Sequence, residues 1–173
     1  MFPSLTRAAL AGVAALAGCS PALDWRELRL QAAPLKIVMP CKPEKGSRRV
    51  VMAGRPVALD ALACAAGGST FAVLSADIGG PASADGSLRQ WQAASLATMR
   101  GRTVREHRFV PEGALDLPRS VQLVASGQRT DGKAVEAEVA YFARGKRVFQ
   151  AAVYSERLEA RATEPFFAGL RFE

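Results

Sequence analysis

Ala134-Val135-Glu136-Ala137-Glu138-Val139-Ala140-Tyr141-Phe142-Ala143 is the stretch that decides the fold. Val135, Ala137, Val139 and Tyr141 alternate with Glu136 and Glu138, and a period of two sends the two sets to opposite faces of a β-strand. The pattern predicts a strand over Ala134–Ala143 with one buried face and one partly wet, solvated face. Asp131-Gly132 stands before it and Gly145-Lys146 after it, where glycine tolerates the positive φ of tight hairpin turns. Val121 to Arg129 and Arg147 to Tyr154 carry apolar runs on either side. The three segments predict an antiparallel meander.

Strand signals continue upstream. Leu35 to Met39 is a compact apolar run stopped by Pro40. Arg48 to Met52 and Pro56 to Cys64 flank Ala53-Gly54-Arg55, a hairpin signal. Thr70 to Ile78 alternates again until Gly79-Gly80-Pro81 breaks it. The period then changes. Between Asp85 and Gly101, Leu88, Trp91, Leu96 and Met99 fall within one arc of a 3.6-residue helix. Ser83 or Asp85 offers a side-chain cap, and Gly101 offers a left-handed stop. Thr103 to Val110 predicts a further strand, followed by a loop from Pro111 to Pro118. A terminal helix is expected over Thr163–Ala168, with Thr163 as cap and Pro165 in its first turn. Phe166, Phe167, Leu170 and Phe172 give this end a large apolar load that should pack on the sheet. The fold class is therefore α+β: one domain, residues 35–173, with an antiparallel sheet and helices packed on its faces.

At the other end, Arg7 precedes an apolar stretch from Ala8 to Ala17, a segment shorter than the roughly 20 residues that span a bilayer. It closes on Leu16-Ala17-Gly18-Cys19, which resembles the lipobox of bacterial lipoproteins. The resemblance implies a signal peptide over residues 1–18, cleavage before Cys19 and a diacylglycerol on the Cys19 thiol. It implies in turn a lipid-anchored protein of the cell envelope. Ser20, where an Asp would favour inner-membrane retention, makes the periplasmic face of the outer membrane the expected location. Residues 19–34 then read as a lipidated tether bracketed by two prolines. Trp25 within it either lies at the membrane interface or docks on the domain.

With Cys19 assigned to lipid, Cys41 and Cys64 remain as an even pair in an oxidising compartment. A disulfide closing a loop of about 20 residues would contribute roughly 3 kcal/mol and is preferred over two buried free thiols.

The order of elements, with Met39-Pro40 ahead of Lys42-Pro43 and the closing Phe166-Phe167-Ala168-Gly169-Leu170-Arg171-Phe172, resembles a PsbP-like α/β/α sandwich. It is also similar to small lipoproteins of proteobacteria. The resemblance spans about Leu35 to Glu173 and implies an accessory or assembly factor rather than an enzyme. It carries over no catalytic or binding residue.

The chain is 49% apolar and 23% charged, as ordinary globular proteins are, with a formal net charge of +7. Its bases are scattered (Arg48-Arg49, Arg100 to Arg108, Arg144 to Arg147) and lack interleaved aromatic side chains, so no nucleic acid is expected as partner. An envelope protein or an anionic polymer fits the charge better. Catalytic constellations are not evident. His107 is the single histidine, Ser69 and Ser75 lack a nucleophile-elbow frame, and there is no CxxC pair for a metal. Glu136 and Glu138 read as a solvated face, and Glu156 and Glu159 have basic neighbours. Gly67-Gly68 and Gly79-Gly80 read as turns rather than phosphate cradles. The expectation is a lipid-anchored accessory or binding module, not an enzyme, with no cofactor and no metal. The alternatives are a small-ligand carrier with a pocket between sheet and helix, or a carboxylate-dependent envelope hydrolase.

Overall fold

The computed structural model describes residues 22–31, 33–52 and 54–173. The expected signal peptide, residues 1–18, and its acceptor Cys19 lie outside the described residues. Within them the chain forms a mixed α+β domain with two antiparallel sheets and two helices. The strands are β1 (Arg26–Arg29), β2 (Leu35–Met39), β3 (Glu44–Met52), β4 (Arg55–Ala66) and β5 (Ser69–Asp77). After helix α1 (Ala84–Thr98) come β6 (Arg102–Arg108), β7 (Val121–Gln128), β8 (Ala134–Arg144) and β9 (Arg147–Ser155). Helix α2 (Ala160–Ala168) and the short β10 (Arg171–Phe172) complete the order. The large sheet runs β3-β4-β5-β9-β8-β7-β6, and a small one runs β1-β2-β10.

The meander lies where its alternation places it. β8 pairs with β9 around Gly145, setting Tyr141 opposite Gln150 and Phe142 opposite Phe149. Odd-numbered residues of β8 face α1: Val139 and Tyr141 share a core with Leu88, Trp91 and Val148. Trp91 meets Tyr141 edge-on, ring centroids 6.4 Å apart. Gln150 also lies on this side and donates to Ser95 Oγ (2.9 Å) and to the Tyr141 hydroxyl (3.0 Å), which gives the buried Tyr141 hydroxyl a partner.

Even-numbered residues of β8 face a second core. Ala140, Phe142, Phe149 and Val153 pack with Leu35 and Ile37 of β2 and with Phe166 and Phe167 of α2. Phe142 stacks on Phe149 at 5.3 Å, and Phe172 meets both rings edge-on. This core overturns the expected solvated face. Glu138 is only 7% exposed, because the face it shares with Phe142 is covered. It accepts a hydrogen bond from Gln122 Nε2 at 2.7 Å, with Arg105 at 3.9 Å. Glu136 is half-buried and accepts from the Leu158 N–H at 2.8 Å.

The segment expected to be a tether is partly built into the domain. Arg26–Arg29 pairs antiparallel with β2, from Arg26 opposite Met39 to Arg29 opposite Lys36. Of the two places expected for Trp25, the domain is where it docks, its ring edge-on to Phe71 at 6.1 Å. Backbone pairing and the half-buried Leu28 hold this strand, while its exposed arginines and glutamate hide any period in the sequence.

Helix ends also differ from expectation. No side chain caps α1: Ser83 Oγ bonds the Gly80 carbonyl, and Asp85 accepts the Arg119 N–H at 2.8 Å. Arg100, not Gly101, takes the left-handed conformation, at φ 46°. α2 begins at Ala160, so Thr163 is a buried residue of its interior, and Pro165 lies past the first turn. The Cys41–Cys64 disulfide is present, its Cα atoms 6.1 Å apart. Among the described residues no helix is long and apolar enough to cross a membrane.

Phe142 is fully buried and touches three aromatic rings through the stack and edges above and Phe109 at 6.3 Å. Phe142→Ala should therefore cost about 3–5 kcal/mol of unfolding free energy, read from urea denaturation. A cost below about 1 kcal/mol would mean that this face is not close-packed.

Candidate functional site

One end of the large sheet gathers the turn between β4 and β5, the last residues of α1, β7 and β9, and the first turn of α2. Gly67 and Gly68 make the β4–β5 turn with φ of 56° and 76°, a conformation that side chains with a Cβ rarely adopt. Leu23 packs close to the turn: a Cβ on Gly67 would stand 3.1 Å from Leu23 Cδ2, a tight contact. The chain therefore joins the domain against this turn. The Asp24 N–H donates to the Pro40 carbonyl at 2.8 Å, and the disulfide ties Cys41 to Cys64 of β4. These links fix Ala22 and Leu23 beside the sheet end.

Here a cleft of about 770 Å³ opens. Leu23, Met99, Val135 and Ala162 supply apolar lining, and Tyr154 stands among them. On the opposite wall β7 comes so close to the end of α1 that a Cβ on Gly127 would lie 2.5 Å from the Met99 carbonyl oxygen. The Gln128 N–H donates to that same oxygen at 2.7 Å, which holds the wall in place. Burial pushes the Tyr154 phenol above its ordinary range, and no hydrogen bond to that phenol is found among the described residues. Charged side chains line the rest of the cleft. Arg161 pairs with Glu159, and Arg129 lies 3.8 Å from Asp131 outside it. Glu156 and Arg157, consecutive and exposed, enter no ion pair among the described residues.

A second, smaller cleft of about 440 Å³ lies between the Arg29–Gln31 stretch and the other face of β3, β4 and β5. Its inward polar groups are paired, while Gln31 and Lys45 at its rim are exposed to solvent. Ser47 Oγ donates to Asp60 Oδ1 at 2.9 Å, and Arg147 Nη1 donates to the fully buried Ser75 Oγ at 3.3 Å. The first cleft keeps a donor free in partly desolvated surroundings, which is the condition for orienting a ligand. We take it as the candidate site.

The residues weighed from sequence are distributed unevenly about it. Glu156, Glu159, Ser69, Gly67 and Gly68 line the cleft. His107 lies on exposed edge strand β6 and lines neither cleft, so no imidazole base stands beside Ser69 or Ser155. Ser75 belongs to the second cleft, and Glu136 and Glu138 to the buried sheet face. Tyr154 is not legible as a site residue in the sequence, because its position reads as one more apolar residue in the alternation of β9. Its one signal was a hydroxyl-bearing ring at the end of that strand.

No family model matches the sequence, and no curated protein matches it. Among solved structures it is similar to a protein of unknown function from Pseudomonas aeruginosa, at TM-score 0.42 and 14% identity over 82% of this chain and 89% of that one. A protein from Bacteroides thetaiotaomicron shows TM-score 0.42 and 10% identity over 85% of this chain and 48% of that one.

Both tyrosines of the chain are held neutral by burial, Tyr141 with its phenol pushed up to about 12 and Tyr154 raised in the same direction. A phenol raised in the folded state contributes stability that is intact below the ordinary value near 10 and is lost as pH rises toward the folded value. Absorbance titration of the native protein should show less phenolate at pH 10 than the urea-unfolded chain, which is about half ionised there. Equal ionisation of the two forms at that pH would contradict the burial of Tyr154.

Proposed function

We propose that the protein is a lipid-anchored binding module of the bacterial cell envelope, not an enzyme, and that the cleft beside Tyr154 is where it binds. In this reading Cys19 carries the lipid after removal of residues 1–18, and the domain stands on the periplasmic face of the outer membrane. The observation that carries the proposal is the position of Ala22 and Leu23 in the cleft wall. Cys19 precedes Ala22 by three residues, and three residues span at most about 11 Å. An anchor at Cys19 therefore holds the cleft close to the bilayer surface, whatever course the intervening residues take. A kinship with PsbP-like sandwiches belongs to the same proposal, supported by the order of elements. It points to an accessory role by analogy of fold alone.

A small-ligand carrier is the second reading, favoured by the volume of the cleft, which falls within the range of about 300–1,000 Å³ typical of ligand sites. The two readings share the site and differ in what occupies it.

The test is photocrosslinking in living cells from a reactive residue at Thr130 in the cleft or at Val51, exposed near the opposite end of the large sheet. Thr130 should give reproducible adducts with envelope components, and Val51 should not. Cys19→Ser should lose both the adducts and incorporation of a labelled fatty acid. Equal adducts from Val51, or lipid label retained by Cys19→Ser, would overturn the proposal.

A further inference from the structure

The cleft is chemically divided, and its charged part holds one residue of each sign with no ion-pair partner among the described residues. Arg161 and Arg129 have carboxylates beside them, which leaves Glu156 and Arg157 as neighbouring free charges of opposite sign. A purely anionic ligand would satisfy Arg157 and be repelled by Glu156. A purely cationic one would meet the reverse. A head group with both charges a few bonds apart satisfies both. The Tyr154 hydroxyl adds a neutral donor, and the apolar lining of Leu23, Met99 and Val135 gives an attached hydrocarbon stem somewhere to lie.

We propose that this cleft binds one membrane phospholipid whose head carries a phosphate and a primary ammonium, as phosphatidylethanolamine does. The inference rests on the reading of the cleft as a binding site near the membrane and names its ligand. Arg157 takes the phosphate, for which a planar guanidinium offers paired donors. Glu156 accepts hydrogen bonds from the ammonium. Tyr154 donates to an ester or phosphate oxygen, ending the isolation of its hydroxyl. The lipid rather than the free head group is the ligand, because apolar lining and the short reach from Cys19 both favour an amphiphile drawn from the adjacent bilayer. Phosphatidylcholine matches the charges but its quaternary nitrogen has no N–H to give Glu156. Phosphatidylglycerol lacks the cation altogether.

The experiment titrates the full lipidated chain in detergent with each of these three lipids and with free phosphoethanolamine, reading bound species by native mass spectrometry. One phosphatidylethanolamine should bind per chain, about tenfold more tightly than either other lipid, since a hydrogen bond to a charged group contributes on that scale. Free phosphoethanolamine should not be retained. Arg157→Glu should weaken phosphatidylethanolamine about tenfold, and Glu156→Gln should erase its advantage over phosphatidylglycerol. Both side chains are exposed, so folding should survive, as circular dichroism would show. Arg55→Glu, in the turn that opens β4 at the opposite end of the sheet, should change nothing. Equal binding of all three lipids would overturn the head-group assignment while leaving the cleft a lipid site. Absence of bound lipid alongside persistent crosslinks from Thr130 would overturn the lipid but spare the binding module. Absence of both would overturn the two together.

Discussion

Burial of the β8–β9 hairpin on both faces is the constraint from which the rest of the structure follows. Ala137 to Ala143 and Val148 to Val153 are all buried, so neighbouring side chains commit alternately to two separate cores. One core needs α1, and Trp91 and Leu88 supply it. The other needs β2, α2 and β10, whose Ile37, Phe166 and Phe172 close over the Phe142–Phe149 stack. A slip of one residue in pairing would exchange Phe142 and Tyr141 between cores of different shape, which is why the register is fixed. Gln150 would then lose Ser95 and Tyr141, leaving polar atoms buried without partners.

The same arrangement decides where the larger cleft opens. α1 ends at Thr98 and β9 at Ser155, and both ends line the cleft. Tyr154 is left between the last turn of α1 and the first of α2, mostly shielded yet open to the cleft. The bond from the Leu158 N–H to Glu136 holds the connection between β9 and α2 against the sheet, and with it the neighbouring Glu156 and Arg157. On the other side the disulfide and the β1–β2 pairing bring the start of the domain to the β4–β5 turn. The cleft therefore lies where Ala22 and Leu23 meet the sheet end, and the Cys41–Cys64 cross-link helps to orient it.

Much of this was legible in the sequence. The meander, the hairpin around Gly54 and the helix carrying Trp91 announce themselves by period, because each carries a regular stripe of apolar residues. The Cys41–Cys64 pair was legible by arithmetic once Cys19 was set aside. β1 was not legible. Its pairing is made by backbone groups, and Arg26, Glu27 and Arg29 look like linker residues whether or not they pair. The burial of Glu138 was hidden for a related reason: charge at alternate positions signals water, unless another layer covers it and supplies Gln122 as a partner. The cleft was hidden because it is built from ends. Strand ends, a glycine turn and a helix start come together only in three dimensions, and none of these carries a motif.

The central claim is that the Tyr154 end of the sheet faces the membrane. β4 runs 12 residues from the opposite end, a separation on the order of 35 Å, so the two ends are easily told apart. The direct measurement places a fluorophore at Thr130 or at Val51 of the chain produced with its leader and reconstituted in vesicles containing brominated lipids, and compares quenching. The account predicts strong quenching at Thr130 and little at Val51. Equal quenching at both sites, or stronger quenching at Val51, would contradict it.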